Sequence, residues 1–89
     1  MPLVTTDEML QKAYEGSYAV GAFNVENLEF VQAVIKAAEM ANSPVIIQAT
    51  PRTLQSVGLD YLHAIVSVAA SKSHVPVALH LDHGDSFKL

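Results

Sequence analysis

The sequence predicts an α/β fold built on parallel strands, with a helix followed by β-α-β-α-β. Three observations predict it. Short apolar runs alternate with longer amphipathic ones. The short runs, Tyr18-Ala19-Val20-Gly21-Ala22-Phe23, Pro44-Val45-Ile46-Ile47-Gln48-Ala49 and Pro76-Val77-Ala78-Leu79-His80-Leu81, are almost continuous in apolarity. Strands buried on both faces of a parallel sheet read this way. Their starts at 18, 44 and 76 leave 26 and 32 residues per repeat, room for a crossover helix each time.

The first helix is expected at 6–15. Thr5 and Glu8 have the spacing of a capping box. Met9, Leu10, Ala13 and Tyr14 form its apolar stripe, and Gly16 stands where a left-handed residue closes a helix. The strand at 18–23 follows. The second helix is expected at 26–41, with Leu28, Val31, Val34, Ile35 and Ala38 inward and Glu29, Gln32, Lys36 and Glu39 outward. Asn42 and Ser43 end it, and Pro44 forbids continuation. Pro44 and Pro76 open the strands at 44–49 and 76–81, where a missing N–H costs least. Residues 50–58 read as a loop with one helical turn. The third helix is expected at 59–72, with Leu59, Leu62, Val66, Ala69 and Ala70 apolar and Asp60, His63, Ser67 and Ser71 wet.

Short right-handed crossovers make the order 1-2-3 the natural one. Three parallel strands leave two open edges, and three helices cannot cover both faces. A (β/α)8 barrel closes the edges but takes about 250 residues. The 89 residues are therefore expected to be either a fragment or one piece of a larger assembly. The next helix is expected to begin where the sequence ends.

Composition removes several classes. With 51% hydrophobic and 16% charged residues the chain is too apolar to be disordered. No run of 18 apolar residues exists, so no membrane span is expected. The first eight residues lack the basic start and apolar core of a signal peptide. The absence of cysteine excludes disulfides, thiolate catalysis and Cys-type zinc sites. A cytoplasmic setting is the default expectation. The net charge is −4, carried by residues 1–60, which hold seven acids and three bases; no basic stripe points to nucleic acid or an anionic membrane.

Ligands in α/β folds collect at the carboxyl ends of strands. There the sequence turns polar: Asn24, Glu26 and Asn27 after the first strand; Gln48, Thr50 and Arg52 at the second; and His80-Leu81-Asp82-His83-Gly84-Asp85-Ser86 at the third. The last run places two imidazoles and two carboxylates within six residues. Asp and His suit a borderline divalent ion such as zinc, and an Asp near such an ion can exchange protons with substrate. Gly84 allows a sharp turn. His80 and His83 point to opposite faces of an extended strand, so both reach one metal only if the chain bends between them. Plainer readings stand beside these. Asp82 or Asp85 could cap a helix. His80 reads as a hydrogen-bonded core histidine, and His63 and His74 as residues without chemical roles. Asn24 reads equally as an N-cap. Arg52 reads as solvated, and Gln48 as an amide in need of partners. No Walker loop, Rossmann glycine pattern or Ser-His-Asp order is present.

In these segments the chain resembles the class II, metal-dependent ketose-bisphosphate aldolases. Ser17 to Glu29 resembles their first strand and turn, Ser43-Pro44-Val45-Ile46-Ile47-Gln48 their second strand, and Val75 to Gly84 their third with its Asp-His signature. The likeness runs in order from Met1 to about Phe87. The Gln48-Ala49-Thr50-Pro51 stretch leans toward the tagatose-type branch. The resemblance implies that residues 1–89 are a partial TIM barrel, about the first third of a (β/α)8 barrel that reversibly cleaves a ketose 1,6-bisphosphate, fructose or tagatose, to dihydroxyacetone phosphate and glyceraldehyde 3-phosphate. It implies His83 as a ligand of catalytic zinc, which polarises the ketone. It implies Asp82 as the group exchanging the C4 hydroxyl proton, and Asn24, Gln48 and Thr50 as substrate-site residues. Many relatives carry Ser where Thr50 stands. A phosphorylated sugar is the expected partner and a homo-oligomer, dimer or tetramer, the expected assembly.

The family's other zinc ligands and its phosphate-binding glycines come from later strands. One His cannot hold a catalytic zinc that needs about three protein ligands, so these 89 residues on their own are expected to be catalytically silent. Two further readings compete. One is a non-catalytic fragment that persists only by association. The other is a small α/β binding module whose Asp82 and His83 cap a helix.

Overall fold

A computed structural model describes residues 1–85. Its order is α1 (Thr6–Gly16), β1 (Gly21–Asn24), α2 (Leu28–Ala41), β2 (Val45–Ala49), α3 (Pro51–Val57), α4 (Leu59–Lys72) and β3 (Val77–Leu81). The helix expected after the third strand, together with Ser86 and Phe87, lies outside the described residues. The strands form one parallel sheet in the order β1-β2-β3. No helix among the described residues is long and apolar enough to cross a membrane.

Register divides the sheet into two faces. Val45 pairs Val77, Ile47 pairs Leu79, and Ala49 pairs Leu81. Alternate side chains of a strand share a face, so these face one way. Val45, Ile47, Ala49 and Val77 are buried against α2 and α4. Val31, Ile35 and Ala38 of α2 and Leu62, Val66 and Ala70 of α4 complete this core at helical spacing. Leu62 is 1% exposed. Replacing it with alanine is expected to cost about 2–5 kcal/mol, lost transfer energy plus a cavity, read as a lowered urea midpoint at unchanged m-value.

The other face carries Ala22, Ile46 and Ala78, then Asn24, Gln48 and His80. No helix among the described residues covers it as α2 and α4 cover the first. The expectation of strands buried on both faces therefore holds on one face; on the other, Ala78 alone of these six residues is buried. Every residue of β1 is exposed, because among the described residues β1 has a strand on one side only and no helix packed on it as α4 packs on the other edge strand, β3. Leu28, Leu59, Leu10 and Tyr14, expected inside, are exposed. The first two are the first residues of α2 and α4. α1 crosses the amino ends of the strands, where Met9 and Tyr18 line a cleft with Pro44 and Pro76, so only Met9 and Ala13 of its stripe are buried.

The capping box expected at α1 does not form. Thr5 makes no side-chain cap bond, and Glu8 instead pairs with Lys12 at 3.0 Å. The left-handed residue closing α1 is Ser17, φ 57°, not Gly16. Asn42, φ 51°, closes α2 the same way. At each end the left-handed N–H and the next one satisfy two last-turn carbonyls: Ser17 donates to Tyr14 and Tyr18 to Ala13, Asn42 to Glu39 and Ser43 to Ala38. A serine side chain disfavours this conformation. Ser17→Gly is therefore expected to stabilise the fold by roughly 0.5–1 kcal/mol, the relieved strain exceeding the added freedom of the unfolded chain, read as a raised thermal midpoint.

Residues 51–57 form two helical turns rather than a loop with one. Thr50 caps them and Pro51 sits in the first turn, where its missing N–H loses nothing. At the far end of α4 the Met1 ammonium donates to the carbonyls of Ala70, Ser71 and Ser73, a positive charge on the negative end of a helix.

Candidate active site at the strand ends

Asn24 ends β1, Gln48 precedes the last residue of β2, and His80 precedes the last residue of β3. Register aligns them: Asn24 pairs Gln48, and Gln48 pairs His80. Neighbouring parallel strands lie about 4.8 Å apart, so the three side chains form a row on the uncovered face. Asp82 follows two residues after His80 and so falls on that face as well. Its backbone N–H donates to the Ala49 carbonyl at 2.9 Å, carrying the ladder one step past β3. On the other flank, the Val25 N–H donates to the Gln48 carbonyl at 2.9 Å. The polar row thus stands on hydrogen-bonded sheet, and an element of this kind fixes side chains more tightly than a free loop.

The side chains interlock. Asn24 Nδ2 donates to Asp82 Oδ2 at 3.1 Å. Gln48 Nε2 donates to Asn24 Oδ1 at 2.9 Å and to Asp82 Oδ2 at 3.4 Å. Gln48 Oε1 faces His80 Nδ1 at 3.2 Å. Both amide donors that reach the carboxylate converge on Oδ2, so Oδ1 is the oxygen left for another partner. Asn24 is thus no helix cap; Asn27 caps α2 by accepting from the Phe30 N–H. Asp82 spends its carboxylate on two amides from neighbouring strands. His80 is hydrogen-bonded as expected but exposed rather than core, since it stands on the face of the sheet that α2 and α4 do not cover.

His83 follows at the turn, with Nε2 3.8 Å from Asp82 Oδ2 and its side chain 80% exposed. Its φ of 59° places it in the left-handed region, which non-glycine residues occupy rarely and often at functional sites. The bend that two histidines three apart require is therefore made at His83 itself, not at Gly84. A Cβ at Gly84 would meet Leu81 Cδ2 at 2.7 Å, the far end of an exposed side chain that can shift aside. Thr50 lies apart from the row. Its hydroxyl oxygen accepts from the Thr53 N–H at 3.5 Å and sits 3.4 Å from the Thr53 hydroxyl. Arg52 is exposed. His63 is exposed on α4, and His74 contacts Asn42 and Glu39 at the opposite end of the sheet.

Among the described residues no three His, Asp or Glu side chains converge on a point where a metal could be held. His80 commits Nδ1 to Gln48, so His83 is the exposed imidazole beside Asp82. The donor set fits one ligand of a zinc site, not a complete one. The missed element is the role of His80 in the row. The available signal was alignment of the strand ends, which sets Asn24, Gln48 and His80 side by side.

The family model of class-II fructose-bisphosphate aldolases matches residues 4–89. The chain is similar to the YdjI aldolase of Escherichia coli K12, with 35% identity and a TM-score of 0.88 over 97% of this chain and 34% of that one. It is also similar to a Coccidioides immitis protein assigned as a fructose-1,6-bisphosphate aldolase, with 35% identity and a TM-score of 0.82 over 89% of this chain and 30% of the other. The chain spans about a third of the length of these structures, and its parallel sheet matches the N-terminal portion of their barrels. The strand ends with their Asp-His turn thus belong to an aldolase framework, and the chain is a member of the class-II fructose-bisphosphate aldolase family.

Proposed function

We propose that these residues are the first third of a (β/α)8 barrel that reversibly cleaves a ketose 1,6-bisphosphate into two triose phosphates. The observation that carries this reading is the Asp82 carboxylate held by Asn24 and Gln48 across three strand ends, beside the exposed imidazole of His83. In the proposed reaction Asp82 Oδ1 takes the proton of the C4 hydroxyl. The C3–C4 bond then breaks, its electron pair passing to C3 and the neighbouring carbonyl, while C4 becomes the aldehyde; C3 then takes a proton from an acid outside these residues to complete the second triose phosphate. In the reverse direction Asp82 returns the proton to the C4 oxygen. Asn24 and Gln48 hold the carboxylate in one orientation, which removes the cost of orienting it during the reaction. Thr50 stays in the substrate set as a residue of the rim at the end of β2, with its hydroxyl engaged in capping α3.

His83 is proposed as one ligand of a zinc ion whose remaining ligands come from outside these residues. When bound, that ion supplies Lewis acidity at the ketone oxygen. The test is an aldol-cleavage assay of the complete zinc-loaded protein with fructose 1,6-bisphosphate and tagatose 1,6-bisphosphate in parallel. Release of dihydroxyacetone phosphate from one or both is expected, and release from neither ends the reading. The same assay decides which C4 epimer is preferred.

A further inference from the structure

We infer that His80 is a positioning residue whose Nδ1–H sets the direction of every hydrogen bond in the row that ends on Asp82. The inference rests on the reading of Asp82 as the proton-exchanging group. An ionised carboxylate only accepts hydrogen bonds. The amide atoms nearest Asp82 Oδ2 must therefore be nitrogens, Nδ2 of Asn24 at 3.1 Å and Nε2 of Gln48 at 3.4 Å. With Nδ2 so placed, Asn24 turns Oδ1 toward Gln48, where it accepts from Nε2 at 2.9 Å. With Nε2 so placed, Gln48 turns Oε1 toward His80. A carbonyl oxygen cannot donate, so the imidazole must, and the proton of a neutral His80 sits on Nδ1. The assignment of both amides and of the histidine tautomer follows from the carboxylate, and each link supports the others.

What His80 adds is the choice between two states of Gln48. Without a donor at its far end, the Gln48 amide can rotate by half a turn and present Oε1 to the carboxylate. That brings oxygen against Asp82 Oδ2 and against Asn24 Oδ1 and breaks both bonds. A histidine donor opposite Oε1 makes the rotated state unfavourable. Register supplies the placement, since His80 is the direct cross-strand partner of Gln48. His80 touches neither Asp82 nor His83 by a hydrogen bond among the described residues, so its effect on the reaction passes through Gln48.

Three variants of the complete zinc-loaded protein separate this role from a merely structural one. Asparagine places Nδ2–H where histidine has Nδ1–H, whereas glutamine places its donor near the Nε2 position and alanine has none. His80→Ala and His80→Gln are expected to lower kcat by about 10–100-fold, the usual effect of removing a partner that orients a functional group, with zinc content unchanged. His80→Asn is expected to recover kcat to within about threefold of the parent. Equal kcat in the glutamine and asparagine variants overturns the inference. Independently, 15N NMR of the imidazoles of the parent protein, with the His80 signal identified by its absence in His80→Asn, is expected to show Nδ1 protonated and Nε2 bare. The opposite tautomer also overturns the inference. If Nδ1 carries the proton but the parent cleaves neither ketose bisphosphate, the proposed reaction fails while the direction of the row stands.

Discussion

Asp82→Asn in the complete enzyme is expected to lower kcat for aldol cleavage by about 10²–10⁴-fold, the usual contribution of a positioned acid-base group. Asparagine is the informative replacement because it separates geometry from proton transfer. Its amide oxygen can occupy the position of Oδ2 and accept from Asn24 Nδ2 and Gln48 Nε2, as the carboxylate does at 3.1 Å and 3.4 Å. Its amide nitrogen then occupies the position of Oδ1 and cannot take a proton from a hydroxyl. The row survives and the base is lost. Zinc content is expected to stay at the parent value, since Asp82 is read as the proton carrier and His83 as the ligand. A kcat within about threefold of the parent removes Asp82 from the role of base. Asp82→Ala has the same chemical consequence, but it also leaves two amide donors without their acceptor, so its defect combines chemistry with disorder of the row.

The fold was legible where one physical signal dominated. Three apolar runs at regular spacing located the three strands, and their parallel order followed from the length of the crossovers. The third helix was read at its observed limits, 59–72, because Leu62, Val66 and Ala70 repeat at helical spacing. The misreadings lie where two signals competed. Residues 51–57 are too short and too polar for periodicity to register, although Thr50-Pro51 is itself a helix-start signal, a cap followed by a proline in the first turn. At the end of α1, Gly16 looked like the left-handed residue, yet the helix runs one residue further and strain falls on Ser17. The burial of β1 was misread because a strand's apolarity records the neighbours of a closed barrel, whereas among the described residues β1 has one strand neighbour and no helix packed on it as α4 packs on β3.

The site was legible by a different route. Polar residues at the ends of apolar strands marked Asn24, Gln48 and Asp82, and register is what joins them. The sequence could not reveal who donates to whom, because that depends on the cross-strand alignment of Gln48 with both Asn24 and His80. His80 was read as core because it lies inside an apolar run, and the run alone does not tell which face of the sheet the helices cover. Gly84 was read for its backbone freedom, while the left-handed conformation that needs such freedom belongs to His83.

His83→Asn in the complete enzyme is expected to reduce bound zinc from about one ion per chain to a small fraction of that, with turnover lost alongside. A catalytic zinc site uses about three protein ligands and keeps one position open for substrate, so losing one imidazole removes a large share of the binding energy. The choice of asparagine follows from the backbone. At φ 59° most side chains are strained, and asparagine is among the few that tolerate the left-handed region. The turn that carries Asp82 is therefore preserved, and no cavity opens because the His83 side chain is 80% exposed. Unfolding free energy measured on the metal-free proteins is expected to differ by no more than about 0.5 kcal/mol, as for other surface substitutions. Elemental analysis of zinc per chain, paired with denaturant unfolding of the metal-free forms, reads both quantities. Full zinc occupancy in the variant removes His83 from the ligand set. Loss of zinc together with a large loss of metal-free stability makes the turn, rather than the imidazole, the essential feature, and His83→Gly then discriminates, since it keeps the left-handed backbone and removes the side chain. Zinc loss in both variants at near-parent stability is the expected pair of results, because the backbone at His83 then stays where it is and only the nitrogen donor is gone.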